Sequence, residues 1–348
     1  MNQKERLLKA LNGEKVDRPP VICPGGMMNA GVTGILDNID ENHNCSVDAM
    51  VDVAKRINED LGFENYGVPF CMTIEAEPLG VKLDFGGKLV EPLVKEYNED
   101  SVDEIMKNYS VDPLKDYRMP VVIEAIKRLK NDEVPVIGNI TGPLSTATSI
   151  VDPLDFLKML RRDPDKAFEF LKYVNEYSIR YAVEMVRAGA DVITFSDPTA
   201  TGEILGSKNF ERFVVPLYTE SIERIHAEGA KVIVHICGKA KAIVDSMNKM
   251  GADALSFDSA VGMKMARRLV HTRLMGNVST QLLNDGLPEK VVTATNVSIE
   301  SGVDIVAPAC GLGMSTPVEN LRAMTGHVKD GDYSYVRGEV LEYVKDNI

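Results

Sequence analysis

The sequence predicts an α/β protein folded as a (β/α)8 (TIM) barrel, and three observations carry that prediction. Candidate strands begin near residues 21, 65, 135, 192, 232, 254, 273 and 304, and helical patterns separate them. Strands alternating with helices imply a parallel sheet, and eight such units imply a closed one. A junction signature also recurs. Gly189-Ala190-Asp191, Gly251-Ala252-Asp253 and Gly302-Val303-Asp304 each put Gly at a helix C-cap just before an apolar strand, with Gly229-Ala230-Lys231 as a variant. Finally, 348 residues that are 44% hydrophobic, without a Ser- or Pro-rich linker, suit one large barrel core. We expect a single domain over 1–348, with residues 1–18 as an N-terminal extension.

The elements follow in order. Residues 3–12 form a helix with Leu7, Leu8 and Leu11 on one side, ended by Gly13. Val21-Ile22 is the first strand, and Cys23-Pro24-Gly25-Gly26-Met27-Met28-Asn29 is the loop after it. Pro and paired Gly there let backbone approach a ligand closely. Residues 46–61 form an amphipathic helix, Met50 to Leu61. Residues 64–71 hold a short strand that runs into Glu75 and Glu77. Residues 81–98 read as an antiparallel hairpin around Gly86-Gly87, an insertion that acts as a flap over one end of the barrel. Helices near 118–131, 153–161, 164–188, 208–228, 239–250, 262–270 and 288–301 alternate with the remaining strands. Helices at 317–328 and 334–346 close the chain.

The formal charge of −13 argues against nonspecific nucleic-acid binding and against adhesion to anionic membranes. No apolar run has the length to cross a bilayer, and the charged start Met1-Asn2-Gln3-Lys4-Glu5-Arg6 is unlike a signal peptide. A cytoplasmic protein is expected. Cys23, Cys45, Cys71, Cys237 and Cys310 are odd in number and spread out, which favours metal binding, catalysis or burial over a disulfide framework.

In such barrels the chemistry sits at the C-terminal ends of the strands. His235 and Cys237 end one strand, two residues apart and so on one face. Cys310 ends another, 73 residues on (310 − 237). One imidazole and two thiolates suit zinc better than calcium or magnesium, and three ligands at a cleft leave a fourth position open. Two thiolates neutralise the dication, so the ion is better suited to holding a thiol as thiolate than to splitting water. The competing reading is a core histidine with small buried cysteines. Glu75 and Asp197 are candidate catalytic carboxylates. Met27, Met28, Asn29, Glu77, Asn139, Asp258 and Asn277 would line the mouth as contacts for substrate. Asp197 and Asp258 equally suit capping of the helix that follows each, and Glu75 with Glu77 equally suits a solvated pair.

These residues are similar to those of the uroporphyrinogen decarboxylase superfamily, and within it to the methylcobalamin:coenzyme M methyltransferase branch. The resemblance spans nearly the whole chain. It rests on Gly13-Glu14-Lys15-Val16-Asp17-Arg18-Pro19-Pro20, on Val68-Pro69-Phe70-Cys71 with Glu75-Ala76-Glu77, on Gly138-Asn139-Ile140-Thr141-Gly142-Pro143 and on Asp197-Pro198-Thr199-Ala200. His235-Ile236-Cys237-Gly238 and Cys310-Gly311-Leu312-Gly313 are the most specific. The resemblance implies a catalytic zinc on His235, Cys237 and Cys310. It also implies methyl transfer from a methylcobalamin-type corrinoid, carried on a small corrinoid protein, to a thiol such as coenzyme M. Tetrahydrofolate as acceptor, a decarboxylase, and a non-catalytic zinc-bearing partner of a corrinoid protein are the alternatives. The decarboxylase is disfavoured by the 23–29 loop, which has none of the Arg residues that would clamp a multiply anionic porphyrinogen.

Overall fold

The computed structural model describes residues 1–24, 31, 35–87 and 90–331. The expected helix at 334–346 and the loop residues Met27, Met28 and Asn29 lie outside them. In chain order the strands are β1 (Tyr66–Val68), β2 (Lys82–Asp84), β3 (Leu93–Glu96), β4 (Val136–Thr141), β5 (Val192–Ser196), β6 (Lys231–Ile236), β7 (Ala254–Phe257), β8 (Arg273–Val278) and β9 (Ile305–Pro308). Seven of them form one parallel sheet in the order β1-β4-β5-β6-β7-β8-β9, wrapped by helices as the βα rhythm predicts.

The first predicted strand, Val21-Ile22, is reduced to a single parallel bridge, Val21 to Val306. Pro20 has no N–H to give, so the ladder starts only at Val21. The ring still closes. Ile22 N–H donates to the Val306 carbonyl at 3.0 Å, and Glu64 N–H donates to the Val21 carbonyl at 2.8 Å. Side chains supply the other bonds. The Asn65 amide accepts from Cys23 N–H at 2.9 Å and donates to the Cys23 carbonyl at 3.0 Å.

Carboxylates organise the N-terminal rim of the barrel. Asp191, Asp253 and Asp304, the third residues of the repeated junctions, each stand opposite a residue at the start of a neighbouring strand, the first of β4 and the second of β6 and of β8. Each donates its N–H to that residue's carbonyl and accepts that residue's N–H on its carboxylate: Asp191 with Val136, Asp253 with Val232, Asp304 with Leu274. Glu64 does the same with Val21. The glycines of these junctions take positive φ, 84° at Gly251 and 90° at Gly302, as a helix C-cap requires. The N-terminal helix Gln3–Asn12 is fastened across this rim. Lys4 pairs with Asp191 at 2.7 Å, and Arg6 pairs with Asp17 and Glu64 at 2.8 Å each.

Outside the sheet, the helix Val47–Leu61 buries Met50, Val53, Ala54, Ile57 and Leu61 at helical spacing, between a Ser46 N-cap and a Gly62 C-cap. The expected helix at 208–228 is present but interrupted. A short helical turn from Gly202, capped by the Thr201 side chain, ends at a kink at Gly206 (φ 70°, ψ 164°), and the helix beyond it passes through a π turn over Phe210–Val214 and resumes over Val215–Ala227. Pro216 is the reason: it cannot donate back to the preceding turn. β2 and β3 pair antiparallel with Asp84 opposite Leu93, which is the predicted hairpin. It is fastened beside the loop leaving β1, because Arg118 of that neighbourhood lies over the Phe85 ring at 5.1 Å.

Candidate active site

The parallel register lays out the C-terminal end of the barrel. Thr141 of β4 is opposite Ser196 of β5, Ser196 is opposite His235 of β6, and His235 is opposite Ser256 of β7. In a parallel sheet, paired positions send their side chains to the same face. These residues therefore make one polar layer, all essentially buried.

His235 is fully buried, and Cys237 and Cys310 are half-buried above it. His235 Nε2 is 3.2 Å from Cys237 Sγ, and Cys237 Sγ is 3.3 Å from Cys310 Sγ. One ligand atom from each residue lies within 4.8 Å of the others, the compactness a metal ion requires. The two thiols share a hydrogen bond. It pushes the Cys310 thiol down, helped by the neighbouring His235, and pushes Cys237 up, helped by burial. Soft sulfur plus one imidazole in this cup fits zinc, with His235 at the floor and the sulfurs at the rim.

The carboxylates have different surroundings. Asp197 is fully buried at the end of β5. It accepts from Ser145 N–H at 2.9 Å, Ser145 Oγ at 2.6 Å, Leu144 N–H at 3.3 Å and Tyr218 OH at 3.3 Å. It thus caps a helix, but the earlier one at Pro143–Ile150 and not the one following it. Burial outweighs these bonds and pushes its pKa up to about 6. Glu75 and Glu77 are not a solvated pair; both are buried. Glu75 accepts Thr141 N–H at 2.9 Å, and its Oε2 has no hydrogen-bond partner among the described residues. Burial pushes its pKa up to about 7. Glu77 pairs with Arg118 Nε at 2.7 Å, and the same guanidinium donates to Cys71 Sγ at 3.3 Å and Thr73 Oγ1 at 2.9 Å.

Asn139 accepts from Ser196 Oγ at 3.5 Å. Asn277 donates to the carbonyls of Asp258 and Val261 at 2.9 and 2.8 Å, while the Asp258 carboxylate accepts from Ala260 N–H at 2.8 Å. These two residues hold one turn at the rim between β7 and β8. Sequence reasoning missed Arg118, Ser145 and Ser256. Ser256 had a signal: it is the one polar residue in Ala254-Leu255-Ser256-Phe257.

A parallel barrel with this ligand cup at its mouth is a barrel enzyme by architecture. More particularly, the chain belongs to the uroporphyrinogen decarboxylase (URO-D) family, whose model matches residues 2–331. It is 31% identical over 338 residues to methylcobamide:CoM methyltransferase MtaA of Methanosarcina barkeri, covering 92% of this chain and 96% of that protein. It is 30% identical over 344 residues to methylcobamide:CoM methyltransferase MtbA of Methanosarcina mazei, covering 95% and 98%. A solved methyltransferase structure from Methanosarcina mazei matches with a TM-score of 0.86 at 29% identity, covering 95% and 99%. Within the family this chain is a methyltransferase. No helix among the described residues is long and apolar enough to cross a membrane.

Proposed function

We propose that the chain moves a methyl group from a methylated corrinoid, presented by a small corrinoid protein in the cytoplasm, to a thiol bound at a zinc held by His235, Cys237 and Cys310. The observation that carries this reading is the gathering of those three ligand atoms within 4.8 Å at the barrel mouth. Zinc there would supply a bound thiol as thiolate, because the ion favours the deprotonated sulfur. The residues set the rest. Cys237 and Cys310 as thiolates would neutralise a bound dication, so a thiol held there would keep its nucleophilicity. His235 sits on the buried floor and leaves the open side of the cup toward the mouth, from which the methyl donor arrives. The methyl carbon passes to sulfur, the cobalt–carbon bond breaks, and the bonding pair stays with cobalt.

Coenzyme M is the acceptor we assign, following the activity for which the relatives MtaA and MtbA are named. Zinc content and single-turnover demethylation of methylcobalamin test the proposal, with coenzyme M and tetrahydrofolate run side by side. Stoichiometric zinc and demethylation with coenzyme M are expected. Cobalamin that stays methylated with every acceptor overturns the assignment, and demethylation with tetrahydrofolate alone overturns the acceptor.

A further inference from the structure

The geometry points to Ser256 as the positioning residue of the metal centre: its hydroxyl selects the His235 tautomer that can bind a metal and fixes the ring's angle. This rests on the zinc reading above and goes beyond it.

His235 Nδ1 is 3.0 Å from Ser256 Oγ, and its other nitrogen, Nε2, faces the cysteine sulfurs. A metal takes the lone pair of an unprotonated ring nitrogen. Nε2 is a ligand only if Nδ1 keeps the proton, and Nδ1–H then needs an acceptor. Ser256 Oγ is in position to be that acceptor. Both residues are fully buried, so water cannot substitute freely. The position follows from the register, which sets Ser256 directly opposite His235 on β7.

A built-in control stands on the other side. Ser196 is opposite His235 on β5 and just as buried, yet its Oγ turns to Asn139. Two serines therefore flank one imidazole, and only one is bonded to it. A hydroxyl also differs from the carboxylate that often fills this role: it orients the ring without adding charge to a cup whose two cysteines would be thiolates around a bound metal.

The test measures zinc affinity by chelator competition, and the absorption spectrum of the cobalt(II)-substituted protein, for wild type, Ser256→Ala, Ser256→Thr and Ser196→Ala. Ser256→Ala should bind zinc about 10- to 100-fold more weakly and shift the cobalt bands. Ser256→Thr, which keeps Oγ, should recover much of the affinity, and Ser196→Ala should bind like wild type. Unchanged affinity and spectrum in Ser256→Ala overturn the assignment, and so does an equal loss in Ser196→Ala. A wild-type protein that takes up neither zinc nor cobalt overturns the metal reading itself, an outcome visible before any variant is made.

Discussion

Val232 N–H donates to the Asp253 carboxylate at 2.8 Å, and Asp253 N–H donates back to the Val232 carbonyl at 2.9 Å. This reciprocal bracket starts the β6–β7 ladder, and its register carries up to His235 opposite Ser256. A one-residue slip would turn His235 out of the barrel. The bracket at the N-terminal rim is thus part of what places a ligand at the mouth. The same carboxylate also holds Lys231 at 3.0 Å and His226 at 2.7 Å.

Asp253→Ala leaves the Val232 N–H without its acceptor at a buried position. It should lower stability by about 1–3 kcal/mol, read from the urea midpoint. Asp253→Asn keeps an acceptor oxygen and should lose less. Equal losses in the two variants would show that charge pairing, and not the bracket, is what matters.

Glu64 is the version of this bracket that closes the barrel. Its carboxylate is essentially fully buried, and both Arg6 and Arg18 reach it, at 2.8 and 2.7 Å. Removing it leaves Arg18 without a carboxylate and Arg6 with Asp17 alone, in a site with little water. Glu64→Ala should cost about 3–5 kcal/mol in chemical unfolding. A loss below about 1 kcal/mol would show that the surrounding loops rehydrate the arginines.

How far the sequence reaches depends on the range of each interaction. The βα rhythm and the glycine caps are local, so the barrel is legible from them. Val21-Ile22 is legible as a barrel strand, but its shortness is not, because Glu64 and Asn65 supply the missing bonds from another segment. Asp191, Asp253 and Asp304 are visible as a repeat, yet their role needs the neighbouring strand. His235 and Cys237 announce themselves by spacing, and strand counting brings Cys310 to them. Glu77 does not announce Arg118, 41 residues away, and Asp197 does not announce Ser145 on an earlier helix. Polar partners across elements are set by tertiary packing, and residue spacing carries no trace of them.

Cys237 and Cys310 are half-buried and sit beyond the ends of their strands, so little of the core leans on them. Cys237→Ala and Cys310→Ala should abolish zinc retention and methyl transfer. Compared in metal-free form, each should keep stability within about 1 kcal/mol of the parent. A variant that keeps zinc and full activity would remove that residue from the ligand set.

Glu75 makes stability depend on pH in a definite direction. Burial raises its folded-state pKa from 4.5 to about 7. At pH values below 4.5, folded and unfolded chains both hold the proton, and Glu75 has no effect. Between 4.5 and about 7 the unfolded chain has released a proton that the folded protein keeps, so stability falls as pH rises. Above 7 the carboxylate is ionised in both states, and the full penalty of about 3 kcal/mol is present. Asp197, raised to about 6, adds a slope of the same sign. Urea unfolding at pH 5 and pH 8 reads this directly. The parent should lose stability between the two, and Glu75→Gln, whose amide does not titrate, should lose distinctly less. An identical slope in the variant would mean that the Thr141 N–H and the groups around it hold Glu75 ionised at ordinary pH, which would leave its free Oε2 available as an acceptor for a donor at the barrel mouth.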